Sequence, residues 1–187
     1  MKTVMESSSY TLEIKKSKFI GLIYPLKSVD EFNNILNDVK VKYPNAKHYT
    51  YAYIFDNMKK MSDDKEPSKT AGSPILNVLE KNGLNRVCLI VVRYFGGILL
   101  GAPLLTRSYS NTALETVKSS KICEFILYDY YSLTFNYDAI ADIEYLLDSN
   151  DIIEKEFLDV VHYKIRVKQN SDISKLKKIA KIKKIII

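Results

Sequence analysis

The chain has 187 residues, of which 47% are hydrophobic and 27% charged, and a formal net charge of +6. This composition is that of a folded globular protein with one ordinary domain or two small ones, and six glycines with five prolines leave little material for a disordered linker. The opening MKTVMESSSYTLEIKK lacks the apolar stretch of a signal peptide, and runs such as VCLIVV fall far short of the ~20 residues of a membrane span. A cytoplasmic protein without membrane attachment is therefore expected.

The charge is segregated along the chain. Residues 1–122 carry 18 basic and 11 acidic side chains, residues 123–163 carry one basic and 10 acidic, and residues 164–184 carry nine basic and one acidic. Cys88 lies in an apolar run and Cys123 stands alone, so neither forms a CxxC pair. Both read as small buried hydrophobes, and no metal or cofactor is expected.

In chain order, YTLEIKKSKFIGLIYPL alternates and stops at Pro25, which predicts one or two strands with Lys15, Lys16 and Lys18 where they meet. Ser28 and Glu31 form an S-x-x-E capping box. The helix it starts places Phe32, Ile35, Leu36 and Val39 on one face and ends at Tyr43-Pro44. HYTYAYIF from His48 predicts a strand, and DNMKKMSDDKEPSKTAG a long polar connection of the functional kind. Ser73-Pro74 opens a second helix with Ile75, Leu76 and Leu79 on its buried face, closed by Asn82-Gly83. RVCLIVVRYF is apolar throughout and predicts an interior strand. After three glycines, Leu105, Tyr109, Ala113 and Val117 recur every four residues along a helix that reaches about Ser119.

From about Cys123 the pattern restarts. YSLTFNYD alternates as a strand, Ile140, Ile143, Leu146 and Leu147 make a helix face, and IIEKEFL and VVHYKIRV are two strands turning near Asp159. SDISKLKKIAKI predicts a short helix before the terminal KKIII. The order β-α-β-β-α-β predicts a small ferredoxin-like domain over 123–187, behind an α+β domain over 1–122.

Several clusters carry possible chemistry. Gly96-Gly97 and Gly101, between a strand and a helix, either point free N–H groups at an anion that Arg93 and Arg107 also grip, or serve only as turn formers. Asp63, Asp64 and Glu66 in SDDKEPSKTAG suit a divalent cation, acid and base work or basic partners, and equally a solvated loop whose side chains fix turns. Lys65 and Lys69 weaken the metal reading. His48 is a catalytic candidate if that loop reaches it, and a hydrogen-bonded scaffold residue otherwise. In the second domain His162, Lys164, Arg166 and Lys168 share a strand face that either meets nucleic acid or pairs with Glu154 and Glu156 across a hairpin.

The set KKSKFIG, AKHYTYAY, SDDKEPSKTAGSPIL, VVRYFGGILLG and TRSYS, in this order over residues 15–119, resembles the IMPACT/YigZ family. The resemblance implies a first domain like a small-subunit ribosomal-protein domain and domain IV of elongation factor G, and a ferredoxin-like second domain similar to domain V of that factor. It also implies translation control, since eukaryotic relatives block activation of a starvation-sensing kinase through an extra N-terminal domain. The 187 residues leave no room for that domain, so the kinase role is not expected here.

The matching site positions are His48, Asp63, Asp64, Glu66, Pro67, Thr70, Gly72, Arg93, Tyr94, Gly96, Gly97, Gly101, Arg107 and Tyr109, which the resemblance puts on one face as a ligand-binding surface. Lys65 stands where bacterial members usually have glycine, and Pro103-Leu104 where they have a glycine pair. The resulting expectation is an RNA- or ribosome-associated binding protein, with His162, Lys164, Arg166 and Lys168 as an auxiliary surface. The alternatives are a hydrolase built on His48, Asp63, Asp64 and Glu66, and a protein-interaction module without nucleic acid.

Overall fold

The computed structural model describes residues 1–186, so the last residue of the terminal KKIII lies outside the described residues. The chain is a mixed α/β protein of two compact units, Met1–Phe125 and Ile126–Ile187.

The first unit is built on an antiparallel five-stranded sheet. In chain order it contains β1 (Lys2–Val4), β2 (Ser8–Ile14), β3 (Ser17–Pro25), α1 (Glu31–Lys42), β4 (His48–Phe55), β5 (Met58–Ser62), α2 (Gly72–Lys81), β6 (Val87–Tyr94), α3 (Ala102–Lys118) and β7 (Ile122–Glu124). The strand order is β2-β3-β6-β4-β5, while β1 and β7 form a separate two-stranded ribbon. Central β6 is buried along almost its whole length because both faces of the sheet are covered. Its Cys88, Ile90 and Val92 pack with Phe32 and Val39 of α1, and its Leu89 and Val91 pack with Ile75 and Leu79 of α2 and Leu105, Tyr109 and Ala113 of α3.

Local sequence explains most helix boundaries. The Ser28 hydroxyl accepts the Glu31 N–H at 3.4 Å, and the Glu31 carboxylate accepts the Lys27 N–H at 2.8 Å, a capping box displaced by one residue. Helix α2 begins one residue before Ser73, and its cap comes from far upstream. The Asp63 carboxylate accepts the Ala71 and Gly72 N–H groups at 3.0 and 2.8 Å. Pro103 sits in the first turn of α3, where its missing N–H costs nothing.

Three strands lie where no strand is predicted. Met58–Ser62, inside the polar connection, pairs with β4 after a tight turn at Asp56-Asn57. It is an edge strand, exposed nearly throughout, so no apolar alternation marks it. The three-residue strands β1 and β7 are too short to show a period.

The buried face of α3 is wider than its apolar stripe. Ser108, Thr112 and Thr116 are also buried, and each hydroxyl donates to the carbonyl four residues earlier, at 2.7 to 2.8 Å. This row faces Gly21 of β3, where a Cβ would collide with the Thr116 hydroxyl. Glycine at 21 thus lets helix and sheet approach closely.

The second unit contains β8 (Tyr128–Phe135), a 3-10 turn at Tyr137–Ala139, α4 (Ile140–Leu146), β9 (Ile152–Phe157), β10 (Val161–Lys168), α5 (Ser174–Ile179) and β11 (Lys181–Ile185). Its antiparallel sheet runs β11-β8-β10-β9. Leu133, Phe135, Val161, Tyr163 and Ile165 pack under Ile143 of α4 and Leu176 of α5. The Tyr163 hydroxyl and the Lys155 ammonium both donate to Glu144, at 2.7 and 2.6 Å, and the Lys155 bond holds that carboxyl below its usual range.

Gly21→Ala is expected to destabilise the protein by about 1–3 kcal/mol through overpacking, read from the denaturation midpoint. Combining it with Thr116→Ala should recover part of the loss. Fully additive losses would show that the close approach at Gly21 is not limiting.

Candidate binding site

Strand register assembles the site. His48 opens β4 and pairs directly with Arg93 near the end of β6, so the two side chains share the face that α3 covers. The loop from 63 to 71 then folds back onto that face through its own polar groups. The Asp63 carboxylate, besides capping α2, accepts the Lys69 N–H at 2.9 Å, and the Asp64 carboxylate accepts the Tyr49 N–H at 2.6 Å. The Asp64 carbonyl accepts from His48 Nδ1 at 2.7 Å, which places a proton on that nitrogen. The Thr70 hydroxyl donates to the Pro67 carbonyl at 2.6 Å, and the buried Gly72 lies where a Cβ would meet the Ser62 backbone.

Folded this way, the loop turns Glu66 inward. Its carboxylate Oε1 accepts from Arg93 Nη1 at 2.6 Å and from the Tyr109 hydroxyl at 2.7 Å, and His48 Nε2 stands 3.6 Å away. The side chains of Glu66 and Arg93 are only 3% and 7% exposed. Burial and the neighbouring carboxylate push the Tyr109 hydroxyl far above the usual phenol range, which keeps it a donor. Phe19 supports both partners, edge-on to the Tyr109 ring at 5.1 Å and 5.3 Å from the Arg93 guanidinium carbon.

The Arg93 guanidinium is incompletely used, since its buried Nε has no hydrogen-bond partner. Arg93 lines a pocket of about 430 Å³. Lys47, Lys65 and His48 contribute the remaining basic lining and Glu66 the one carboxylate, while Phe95, Leu99, Leu100 and Leu105 make an apolar wall. Lys47 Nζ and Arg93 Cζ lie 5.3 and 5.7 Å from the Phe95 ring centroid.

The glycine stretch divides by role. A Cβ on Gly96 would run into the backbone of Lys16 and Ser17, and the Gly96 N–H donates to the Ser17 hydroxyl at 3.2 Å, so this glycine serves a close approach. Gly97 and Gly101 have φ of +81° and +73° with open space around the missing Cβ, as turn formers do.

Of the residues singled out from sequence, His48, Glu66, Arg93 and Tyr109 meet in one cluster, and Pro67 and Gly101 line the pocket beside it. Asp63, Asp64, Thr70 and Gly72 shape the loop. Tyr94, one residue past Arg93, falls on the opposite face with the α1 cluster, and its hydroxyl donates to the Pro44 carbonyl at 3.1 Å. Arg107 is exposed on α3 and does not line the pocket.

Sequence reasoning passed over Lys47, Phe95, Leu99 and Leu100 as site residues. The sequence marks Lys65 as weakening a metal site and as a departure from glycine, not as a lining residue. Among the described residues, no group of three His, Cys, Asp or Glu side chains is placed to hold a metal ion.

In the second unit, Lys164 pairs with Glu154 at 2.6 Å, Arg166 with Asp151 at 3.4 Å, and His162 Nδ1 lies 3.0 Å from the Thr134 hydroxyl. Lys168 is exposed at the end of β10. Lys184 pairs with Asp129 at 2.8 Å. Part of the segregated charge, Lys164, Arg166 and Lys184, is thus paired within this unit.

The Impact N-terminal domain model matches residues 15–117, more than half of the chain. The chain belongs to the IMPACT family. It is 34% identical to the IMPACT family member YvyE of Bacillus subtilis (strain 168) over 165 residues, covering 86% of this chain and 74% of the relative. It is 32% identical to the IMPACT family member YigZ of Escherichia coli (strain K12) over 144 residues, covering 74% and 71%. A solved crystal structure of a hypothetical protein superimposes with a TM-score of 0.70 at 26% identity, covering 95% of this chain and 89% of that one. No helix among the described residues is long and apolar enough to cross a membrane.

The backbone at position 65 is one that favours glycine, the residue expected there from the resemblance. Lys65 has φ of +67°, next to Asp64 at +40°. A lysine held there is strained, by about 1 kcal/mol. Lys65→Gly is therefore expected to stabilise the fold by up to about that amount, measured by chemical denaturation. A lowered midpoint would mean that the lysine side chain more than offsets its strained backbone.

Proposed function

We propose that the protein is a binding protein acting in translation control, and that its first unit holds an anionic group of an RNA or ribosomal component at the Arg93 pocket. The observation that carries this reading is Arg93, lining a pocket whose only carboxylate is the Glu66 it already binds, with two exposed lysines at its edge. Guanidinium and ammonium groups gathered at one pocket favour an oxyanion through charge-assisted hydrogen bonds. The setting in translation comes from the family resemblance. The same reading takes the first unit as similar to domain IV of elongation factor G. The second is taken as a ferredoxin-like partner domain, in keeping with its strand order.

The hydrolase alternative loses support because the acidic loop's carboxylates have other work. Asp63 and Asp64 hold backbone amides, and Glu66 is bound by Arg93 and Tyr109, so none stands ready as a base. The auxiliary surface on β10 is weakened by its internal pairing, leaving Lys168 as its freest cation. A protein-only module keeps one observation in its favour, the apolar loop at the pocket mouth, where Leu99 is 86% exposed.

Binding to structured RNA and to ribosomes, titrated across a salt series, tests this function. Affinity should fall steeply with salt, and Lys47→Ala and Lys65→Ala should each weaken binding and lower the salt slope by about 1. Affinity that neither salt nor these substitutions change would exclude the pocket as an anion site.

A further inference from the structure

The apolar half of the pocket is not explained by a phosphate backbone. Its wall is formed by Phe95, Leu99, Leu100 and Leu105, and the exposed Ile98 and Leu99 continue the apolar surface along the same loop. Gly97 and Gly101, both at positive φ, bracket Ile98–Leu100 as the turn points of that loop. Contiguous exposed apolar side chains beside a cationic cavity match an occupant with an anionic end and an apolar body.

The charge of the innermost position narrows the choice. Arg93 already holds Glu66 at 2.6 Å, so an anion that reaches the guanidinium also approaches a buried carboxylate. A terminal phosphate, dianionic, meets that repulsion twice over. A backbone phosphodiester and a carboxylate each bring one charge, and between these two the apolar wall favours the carboxylate of a chain with apolar side chains. The exposed apolar surface also extends beyond the cavity, since Ile98 lies outside its lining, which favours an occupant longer than the pocket.

We propose that the Arg93 pocket captures the free C-terminal carboxylate of a polypeptide ending in a bulky apolar residue. The carboxylate meets the Arg93 side of the pocket with Lys47 and Lys65 at the rim. The last side chain fills the space between Leu100 and Leu105, and the preceding residues run along Phe95, Ile98 and Leu99. This inference rests on the reading of the pocket as a binding site and names its occupant.

Fluorescently labelled hexapeptides ending in Leu or Phe, each as free acid and as C-terminal amide, provide the test, together with a single-stranded RNA oligonucleotide. The free acids are expected to bind at least tenfold more tightly than their amides. Lys65→Ala should weaken them several-fold, as should Leu99→Asp, which alters a side chain too exposed to affect folding. Amide-proton chemical shifts should move at Lys47, Lys65 and Phe95–Gly101.

Equal affinity of acid and amide overturns the proposal, as does a peptide effect that maps elsewhere. Should the RNA alone bind, with sensitivity to Lys47→Ala and Lys65→Ala, the polypeptide occupant is wrong and the binding-site reading stands. Should neither probe bind in a way those lysines affect, both readings fall.

Discussion

The first unit depends on one buried carboxylate. Glu66 sits inside the protein at a position where an unpaired charge would cost several kcal/mol. It is tolerated because separate elements bring donors to it: β6 supplies Arg93, α3 supplies Tyr109, and β4 supplies His48 beside them. The loop that carries Glu66 accepts positive φ at Asp64, Lys65 and Lys69 in order to deliver it. Its own aspartates hold this shape through backbone amides, so the acidic motif is mainly a device for placing one glutamate.

That placement also sets the chemistry of the surface above it. Glu66 orients Arg93 and partly neutralises it, beside a pocket whose other charged lining is Lys47 and Lys65. A guanidinium held in place by a buried carboxylate has little rotamer freedom left to lose should it bind an anion. The adjoining Phe95 ring, near both Arg93 and Lys47, joins this charged floor to the apolar loop.

Much of this was legible in the sequence, for identifiable reasons. The 3.6-residue periodicity of α1 and α3 and the unbroken apolar run of β6 are strong local signals, and the structure places those elements there. The edge strand β5 was not legible, because an exposed strand of Met, Lys and Ser has no buried face to impose a period.

The site divides in the same way. Motifs marked His48, Glu66, Arg93 and Tyr109, but only the pairing of His48 with Arg93 shows which side chains meet. Tyr94 and Arg107 carry the same motif weight yet lie elsewhere. One is turned away by strand alternation, and the other sits on the exposed side of its helix. Charge segregation at the C-terminal end read two ways until the hairpin register set Lys164 opposite Glu154.

A double-mutant cycle on Glu66→Gln and Arg93→Met, followed by denaturation, tests most directly whether the buried carboxylate organises this unit. Each single substitution should cost about 3–5 kcal/mol by leaving its partner unmatched, and the pair together should cost clearly less than the sum, with coupling of at least about 1 kcal/mol. Losses that add to within about 0.5 kcal/mol would contradict the account, because they would mean that Glu66 and Arg93 stabilise the unit independently.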